Sequence, residues 1–162
     1  MRILIQKSRK NNSVRHGVTL IELTITVLLI GIVAAIATPR ILSTFNHFRL
    51  ESATEQVVAD IKLVRHQAKI KGTTQKITFN VANNSYGTPG LRDRNHPTID
   101  YAVDLDDLPG DISLYSVDFA SGGNLTFNMY GQPTDGGTVK LKSGNLLKTI
   151  TVEGSIGKVT VQ

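Results

Sequence analysis

The segment from residue 18 to residue 38 most constrains this chain, because it is apolar over a length that can cross a membrane. It holds 21 residues, and about 20 apolar residues are enough for a helix to span a bilayer. Within it lies one carboxylate, Glu22, and no Lys, Arg or His. Because a charge at the bilayer centre costs about 2.5–3.5 kcal/mol, Glu22 requires a partner. Cleavage after Gly17 would create one, the new α-amino group of Val18.

The positive net charge of the chain comes from the residues that precede this segment. Residues 1–17 contain five bases and no acid, and the bases are Arg2, Lys7, Arg9, Lys10 and Arg15. Of 18 Lys and Arg, 13 therefore remain after position 17, against 13 Asp and Glu. This excess of bases before the apolar segment indicates the membrane topology, with the N-terminus cytoplasmic and the C-terminal part translocated. A secretory signal peptide cut near residues 34–37 is the first alternative, but it would leave Glu22 without a purpose.

The sequence G-V-T-L-I-E at residues 17–22, followed by an apolar helix, resembles the class III signal peptide of type IV pilins and of type II secretion pseudopilins. The resemblance implies that a prepilin peptidase cuts between Gly17 and Val18 and that Val18 becomes the methylated N-terminus. It implies that Glu22 is the acid that guides assembly and that Pro39 kinks the helix. Val18 departs from the family, where phenylalanine is usual.

A second resemblance lies in the C-terminal part of the chain. L-T-F-N-M-Y-G-Q-P (125–133) and K-T-I-T-V-E-G-S-I-G-K-V-T-V (148–161) resemble the head of H-type minor pseudopilins, which also occurs in minor type IV pilins. The resemblance implies a structural subunit of a periplasmic type II secretion pseudopilus, anchored in the bacterial inner membrane by a single pass. Its implied partners are other pseudopilins in a helical filament, the prepilin peptidase, the inner-membrane assembly platform and membrane lipid. A minor type IV pilin, for pilus assembly or DNA uptake, is the alternative.

The pattern after Pro39 predicts an amphipathic helix over residues 39–72 that ends at Gly72. Its apolar stripe recurs in steps of three to five at Phe45, Phe48, Ala53, Val57, Ile61, Val64 and Ala68. With the membrane segment this gives one helix of about 54 residues, bent at Pro39. We expect an α+β, pilin-like fold in which a long N-terminal helix, membrane-spanning in its first half, packs on an antiparallel β-sheet head. The organisation is a cleaved leader (1–17), a membrane half (18–38), an amphipathic half (39–72) and a β-rich head (73–162).

Short alternating segments from residue 75 onward predict the strands of that head, and the close spacing of the final strands predicts antiparallel hairpins. They are residues 76–81, 112–117, 125–129, 139–141, 147–152 and 158–161. Residues 86–97 show no strand pattern, and we expect an exposed loop there.

No constellation in the sequence favours catalysis, and we expect neither an enzyme nor a bound cofactor or metal. The His residues have no catalytic or metal-ligating spacing. The acidic run from Asp104 to Asp111 is a possible Ca²⁺ site, but it lacks the EF-hand order, and a solvated turn is favoured. Nucleic acid is not expected as a partner, although a basic patch of Arg92, Arg94, Lys69 and Lys71 leaves DNA binding open. A signal-anchored enzyme or binding module of unrelated type is a further alternative.

Overall fold

The computed structural model describes residues 17–93 and 96–162, and at positions 37–43 it describes the backbone alone. The chain divides into two compact units, one ending at Arg40 and one covering Ile41–Gln162. The bases of the predicted leader and Arg94 lie outside the described residues.

One helix, α1, runs over Leu20–Lys71 and has 52 residues. It begins two residues later than the sequence pattern predicts, and its end is as predicted. Gly72 follows with φ 61°, a left-handed conformation that glycine adopts without steric cost and that commonly terminates a helix. The backbone of α1 is helical through position 39, and the bend at Pro39 stays a prediction.

Eight strands follow and form two four-stranded antiparallel sheets. Their bounds are β1 Gln75–Asn80, β2 Ser85–Arg92, β3 Asp100–Asp104, β4 Ile112–Phe119, β5 Asn124–Phe127, β6 Gly137–Ser143, β7 Leu146–Val152 and β8 Val159–Val161. One sheet has the order β3-β2-β1-β5 and the other β4-β6-β7-β8. The antiparallel hairpins predicted for the C-terminal part are confirmed, with β7 paired to both β6 and β8. The predicted α+β fold is confirmed, and its head contains two antiparallel sheets, with the consecutive strands β4 and β5 in different sheets.

The core of this unit forms where the second half of α1 meets both sheets. The buried helix residues recur every three to four positions, at Leu50, Ala53, Val57, Ile61, Val64 and Ala68. They belong to one cluster with buried side chains from both sheets, such as Ile77, Phe127, Leu141 and Ile150. The predicted stripe is therefore confirmed from Ala53 to Ala68. It is wrong at Phe45 and Phe48, which are exposed, because the buried face begins only at Leu50.

The prediction of an exposed loop over residues 86–97 is wrong for its first half, which forms β2. Tyr86 and Thr88 are buried, and β2 pairs with β1 on one side and β3 on the other. The P-G pair at Pro89 and Gly90 concealed the strand. The β2–β3 register shifts between Thr88 and Arg92, and a proline is tolerated in a sheet at such an irregularity.

Candidate functional site

The helix start lies directly after the predicted cleavage point. Thr19 precedes the first helical residue, and its Oγ1 accepts a hydrogen bond of 3.2 Å from the backbone N–H of Glu22. Thr19 is therefore the N-cap and Glu22 the third helical residue, as in the capping-box pattern T-x-x-E. Gly17 and Val18 are exposed, and a Cβ added to Gly17 would meet no atom within 4 Å. The glycine is therefore not required for packing within the described structure.

The helix that follows presents apolar side chains all around its surface. Its exposed large hydrophobic residues are Leu20, Ile21, Leu23, Ile25, Val27, Leu28, Leu29, Ile30, Ile32, Val33 and Ile36. The hydroxyls of Thr24 and Thr26 donate to the helix carbonyls of Ile21 and Glu22, at 2.8 and 2.6 Å. These two polar groups are thus satisfied within the helix and need no external partner.

In the part of the chain that the structure describes, no helix combines the length and the apolar character that a membrane span needs.

Glu22 is the one acid in this apolar segment and is exposed. Its backbone N–H is satisfied by Thr19, and within residues 17–93 and 96–162 its carboxylate makes no ion pair. A carboxylate in the first turn is stabilised by the helix dipole by about 0.3–1 kcal/mol. Glu22 therefore has a local role as well as the predicted assembly role. The T-x-x-E spacing in the sequence was a signal for this cap that sequence reasoning missed.

Several of the charged groups that the sequence suggested as alternative sites have partners within the described structure. Arg92 forms an ion pair with Asp100 at 3.5 Å, and Lys71 Nζ donates to Gly90 O at 3.3 Å. In the acidic run, Asp104 accepts a hydrogen bond from the backbone N–H of Asp106 at 2.9 Å. Within the part of the chain that the structure describes, no group of three His, Cys, Asp or Glu residues is arranged to hold a metal ion.

Sequence reasoning missed one buried polar centre, formed by Asp60 of α1 with Tyr86 of β2 and Tyr101 of β3. Both tyrosine hydroxyls donate to the same oxygen, Oδ2, at 2.6 and 3.0 Å. Burial raises the pKa of the Asp60 carboxyl above its ordinary 3.8, while the two hydrogen bonds lower it. Burial, together with the Asp60 charge, raises the pKa of Tyr101 to about 12. The centre connects the helix to a sheet through two hydrogen bonds to one carboxylate oxygen.

Comparisons with known proteins give a motif match near the N-terminus and similar solved structures. Residues 12–38 match the family model described as the prokaryotic N-terminal methylation motif. No curated protein matches the chain.

Two similar solved structures are crystal structures of the type IV minor pilin FimU of Pseudomonas aeruginosa. The first, in space group P21, has 13% identity and a TM-score of 0.55 over 72% of this chain and 90% of that one. The second, in space group P65, has 14% identity and a TM-score of 0.51 over 70% and 92%. At this identity the likeness shows the fold alone. The chain therefore has an α+β pilin-like fold, and its N-terminal segment matches the methylation motif.

Proposed function

We propose that this chain is a minor pseudopilin, a structural subunit of the periplasmic pseudopilus of a type II secretion system. The prepilin peptidase cuts between Gly17 and Val18, Val18 is methylated, and the mature chain waits in the inner membrane with its head in the periplasm. The subunit has no chemistry of its own and acts by assembling with other pseudopilins. The observation that carries this proposal is a helix start capped at Thr19, two residues after Gly17, followed by an exposed apolar helix with one acid.

The proposed assembly step is an ion pair between subunits. The carboxylate of Glu22 lies in the first turn of the helix, so it is near the α-amino group that cleavage creates. A neighbouring subunit offers the same amine in an apolar environment, where a charge without a partner is strongly disfavoured. Pairing of Glu22 with Val18 of the next subunit satisfies both charges. The exposed apolar side chains between Leu20 and Ile36 then pack against other helices of the filament.

A second candidate function, a minor type IV pilin, is favoured by the similarity to the FimU structures. It uses the same cleavage, methylation and assembly acid, and differs in the filament that the subunit joins. Deletion of this chain from its own strain separates the two: a loss of protein secretion that expression of the chain restores supports the pseudopilus, and a loss of pili or twitching that it restores supports the pilus.

The first test is the intact mass of the full chain extracted from membranes of cells that contain a prepilin peptidase. We expect a mature chain that begins at methylated Val18. A chain that still begins at Met1, or one cut near Ala37, would contradict the proposal.

The second test is Glu22→Gln, with Thr19→Ala as the matched control. Glu22→Gln keeps the size of the side chain and removes its charge, so we expect normal cleavage and at least about a tenfold loss of incorporation into filaments, as for the loss of a close charge pair. Thr19→Ala removes the cap, which contributes about 0.5–2 kcal/mol, and leaves the Glu22 charge. If Thr19→Ala lowers incorporation as much as Glu22→Gln, then Glu22 acts through the helix start and the ion-pair step is wrong.

A further inference from the structure

Two phenylalanines of α1 are exposed where the helix enters the second unit. Phe45 is 51% exposed and Phe48 is 65% exposed, whereas Leu50 and Ala53, which follow them on the helix, are buried. Neither ring belongs to the core cluster of the head, so the folding of one chain does not explain why both are apolar. Neighbouring apolar side chains on a surface commonly mark a site that binds a protein or a membrane.

The two phenylalanines form a ridge between two grooves of the head. On one side, Phe48 and the tip of the β6–β7 hairpin, residues 143–146, line a groove of about 540 Å³. On the other side, both rings and Pro109 of the β3–β4 loop line a groove of about 200 Å³. Pro109 and Leu146 are also exposed. These four apolar residues from three segments, Phe45, Phe48, Pro109 and Leu146, are here named the entry patch.

Contacts around the entry patch hold its side chains in place. The rings of His47 and Phe48 meet edge to face, with centroids 6.3 Å apart. The guanidinium of Arg49 lies 6.0 Å from the centroid of the Phe45 ring, within the range of a cation–π contact. Arg49 also packs against Gly110, where an added Cβ would clash with its side chain. The patch is therefore formed before any partner arrives, which reduces the entropy lost on binding.

Charges of both signs surround the entry patch. Arg49 is exposed beside it, and the loop that carries Pro109 also carries the exposed acids Asp107 and Asp111. The nearby Glu51 and Lys148 form an ion pair of 2.8 Å and so neutralise each other. A partner bound here is therefore selected by apolar contact and must accept both signs of charge at the rim.

The position of the entry patch in the chain indicates what covers it. Phe45 lies seven residues after position 38, where the predicted membrane segment ends. Seven residues span about 10 Å in a helix and at most about 25 Å when fully extended. The patch thus stays within reach of the membrane surface, and this tether gives the surface a high effective concentration against any diffusing partner.

We propose that the entry patch docks the head on the lipid surface of the membrane while the subunit waits to be assembled. Phenylalanine and leucine are residues by which interfacial helices enter the boundary between headgroups and acyl chains. A zwitterionic headgroup carries a phosphate and an ammonium group, which suits a rim with both Arg49 and the acids Asp107 and Asp111. This inference rests on the proposed function, because it requires the membrane segment.

Tryptophan fluorescence tests the contact directly, because the sequence contains no tryptophan. The full chain with Phe48→Trp is placed in phosphatidylcholine vesicles with or without brominated acyl chains, which quench tryptophan on contact. We expect at least about twofold quenching for Phe48→Trp. Leu28→Trp, in the predicted membrane segment, should be quenched more strongly. Tyr130→Trp, at an exposed aromatic of the same unit, should change by less than about a tenth.

The outcomes of this test separate the two hypotheses. Quenching of Leu28→Trp without quenching of Phe48→Trp would overturn the lipid contact in favour of a protein occupant and would leave the membrane anchor standing. Absence of quenching at both positions would overturn the anchor as well. Equal quenching of Phe48→Trp and Tyr130→Trp would show that the head touches lipid without using the entry patch, and would also overturn the inference.

A second measurement distinguishes the patch from the tether. Leu146→Trp places the reporter across the groove from Phe48, and we expect it to be quenched. Addition of Phe45→Ser and Phe48→Ser should reduce this quenching by about threefold or more, because the reporter remains tethered but the apolar ridge is lost. Ile70→Ser is the matched control, since Ile70 is an apolar residue of α1 that is 66% exposed, and should leave the quenching unchanged. Quenching of Leu146→Trp that survives the loss of both phenylalanines would overturn the proposal.

Discussion

Both halves of α1 carry large apolar side chains, but these side chains have opposite surroundings. Between Leu50 and Ala68 the apolar residues are buried against the sheets, and Val57 and Ile61 have no exposed surface. Between Leu20 and Ile36 the large apolar residues are 51–81% exposed. Full burial of one such side chain is worth about 1.5–3 kcal/mol. The difference indicates that the second half stabilises the head, whereas the first half keeps its apolar surface for the membrane and filament that we propose.

The largest effect is expected at the cleavage point. Gly17→Val should abolish formation of the mature chain, because the prepilin peptidase implied by the family resemblance requires the glycine. The fold should not change, since an added Cβ meets no atom within 4 Å at Gly17. The measurement is intact mass after expression with the peptidase. Gly31→Ala is the control, as Gly31 also has no atom within 4 Å of an added Cβ. Normal cleavage of Gly17→Val would remove the basis for assigning residues 1–17 as a leader.

The next effect tests the comparison of the two halves itself. Ile61→Ala should lower the free energy of unfolding of the head by about 2–5 kcal/mol, because it leaves a cavity in the core. Ile25→Ala makes the same chemical change at a position that is 51% exposed, and should change the unfolding of the head by less than about 0.5 kcal/mol. Denaturant unfolding of the full chain in detergent, followed by near-UV circular dichroism, measures both. Equal losses would show that the halves do not differ in this way.

A smaller effect is expected at the buried centre of Asp60. Tyr86→Phe removes one of the two hydroxyls that donate to Asp60 Oδ2. We expect a loss of about 1–3 kcal/mol at neutral pH, because a buried carboxylate loses a donor. The same unfolding measurement detects it, with Tyr115→Phe as the control at an exposed tyrosine.

The same centre predicts a pH dependence with a definite sign. The pKa of the folded Asp60 carboxyl is raised above 3.8, chiefly by burial. The folded state therefore binds this proton more tightly than the unfolded state, and the contribution of Asp60 to stability falls as the pH rises from 3.8 through the folded pKa. Asp60→Asn removes this contribution. The difference in stability between wild type and Asp60→Asn should thus change in favour of wild type as the pH is lowered, and the opposite slope would contradict the assignment.

Prediction from the sequence succeeded where one periodicity dominated. The stripe from Ala53 to Ala68 and the hairpins of β6, β7 and β8 follow directly from spacings of 3.6 and 2 residues. It failed at β2, because Pro89 and Gly90 usually indicate a turn. They lie in a strand here because β2 pairs with β1 and β3 and has an irregular register at this point. Asp60 lies outside the predicted apolar stripe, so the helical pattern predicted an exposed acid on the outer face. Its burial depends on two tyrosines from β2 and β3, which no local pattern connects to the helix.

The N-terminal segment is the opposite case, because nearly every feature that the structure describes there could be predicted from its sequence. The Thr19 cap could have been derived from the T-x-x-E spacing. The partner that the sequence predicts for Glu22, the α-amino group of Val18, stays a prediction, because it is created by cleavage and belongs to another subunit. The structure of one chain tests local structure and burial within one periodic element, but not a contact that depends on a second chain.

The smallest effect is expected where the apolar side chains of α1 change from exposed to buried. Phe48 belongs to the second unit but is 65% exposed, and the sequence pattern wrongly predicted it to be buried. Phe48→Ala should therefore change the free energy of unfolding by less than about 0.5 kcal/mol. Leu50→Ala, two residues later at a buried position, should cost about 2–5 kcal/mol. Denaturant unfolding of the two variants side by side locates the start of the buried face. A large loss of unfolding free energy in Phe48→Ala would place the start of the buried face nearer the N-terminus, as the sequence pattern predicted.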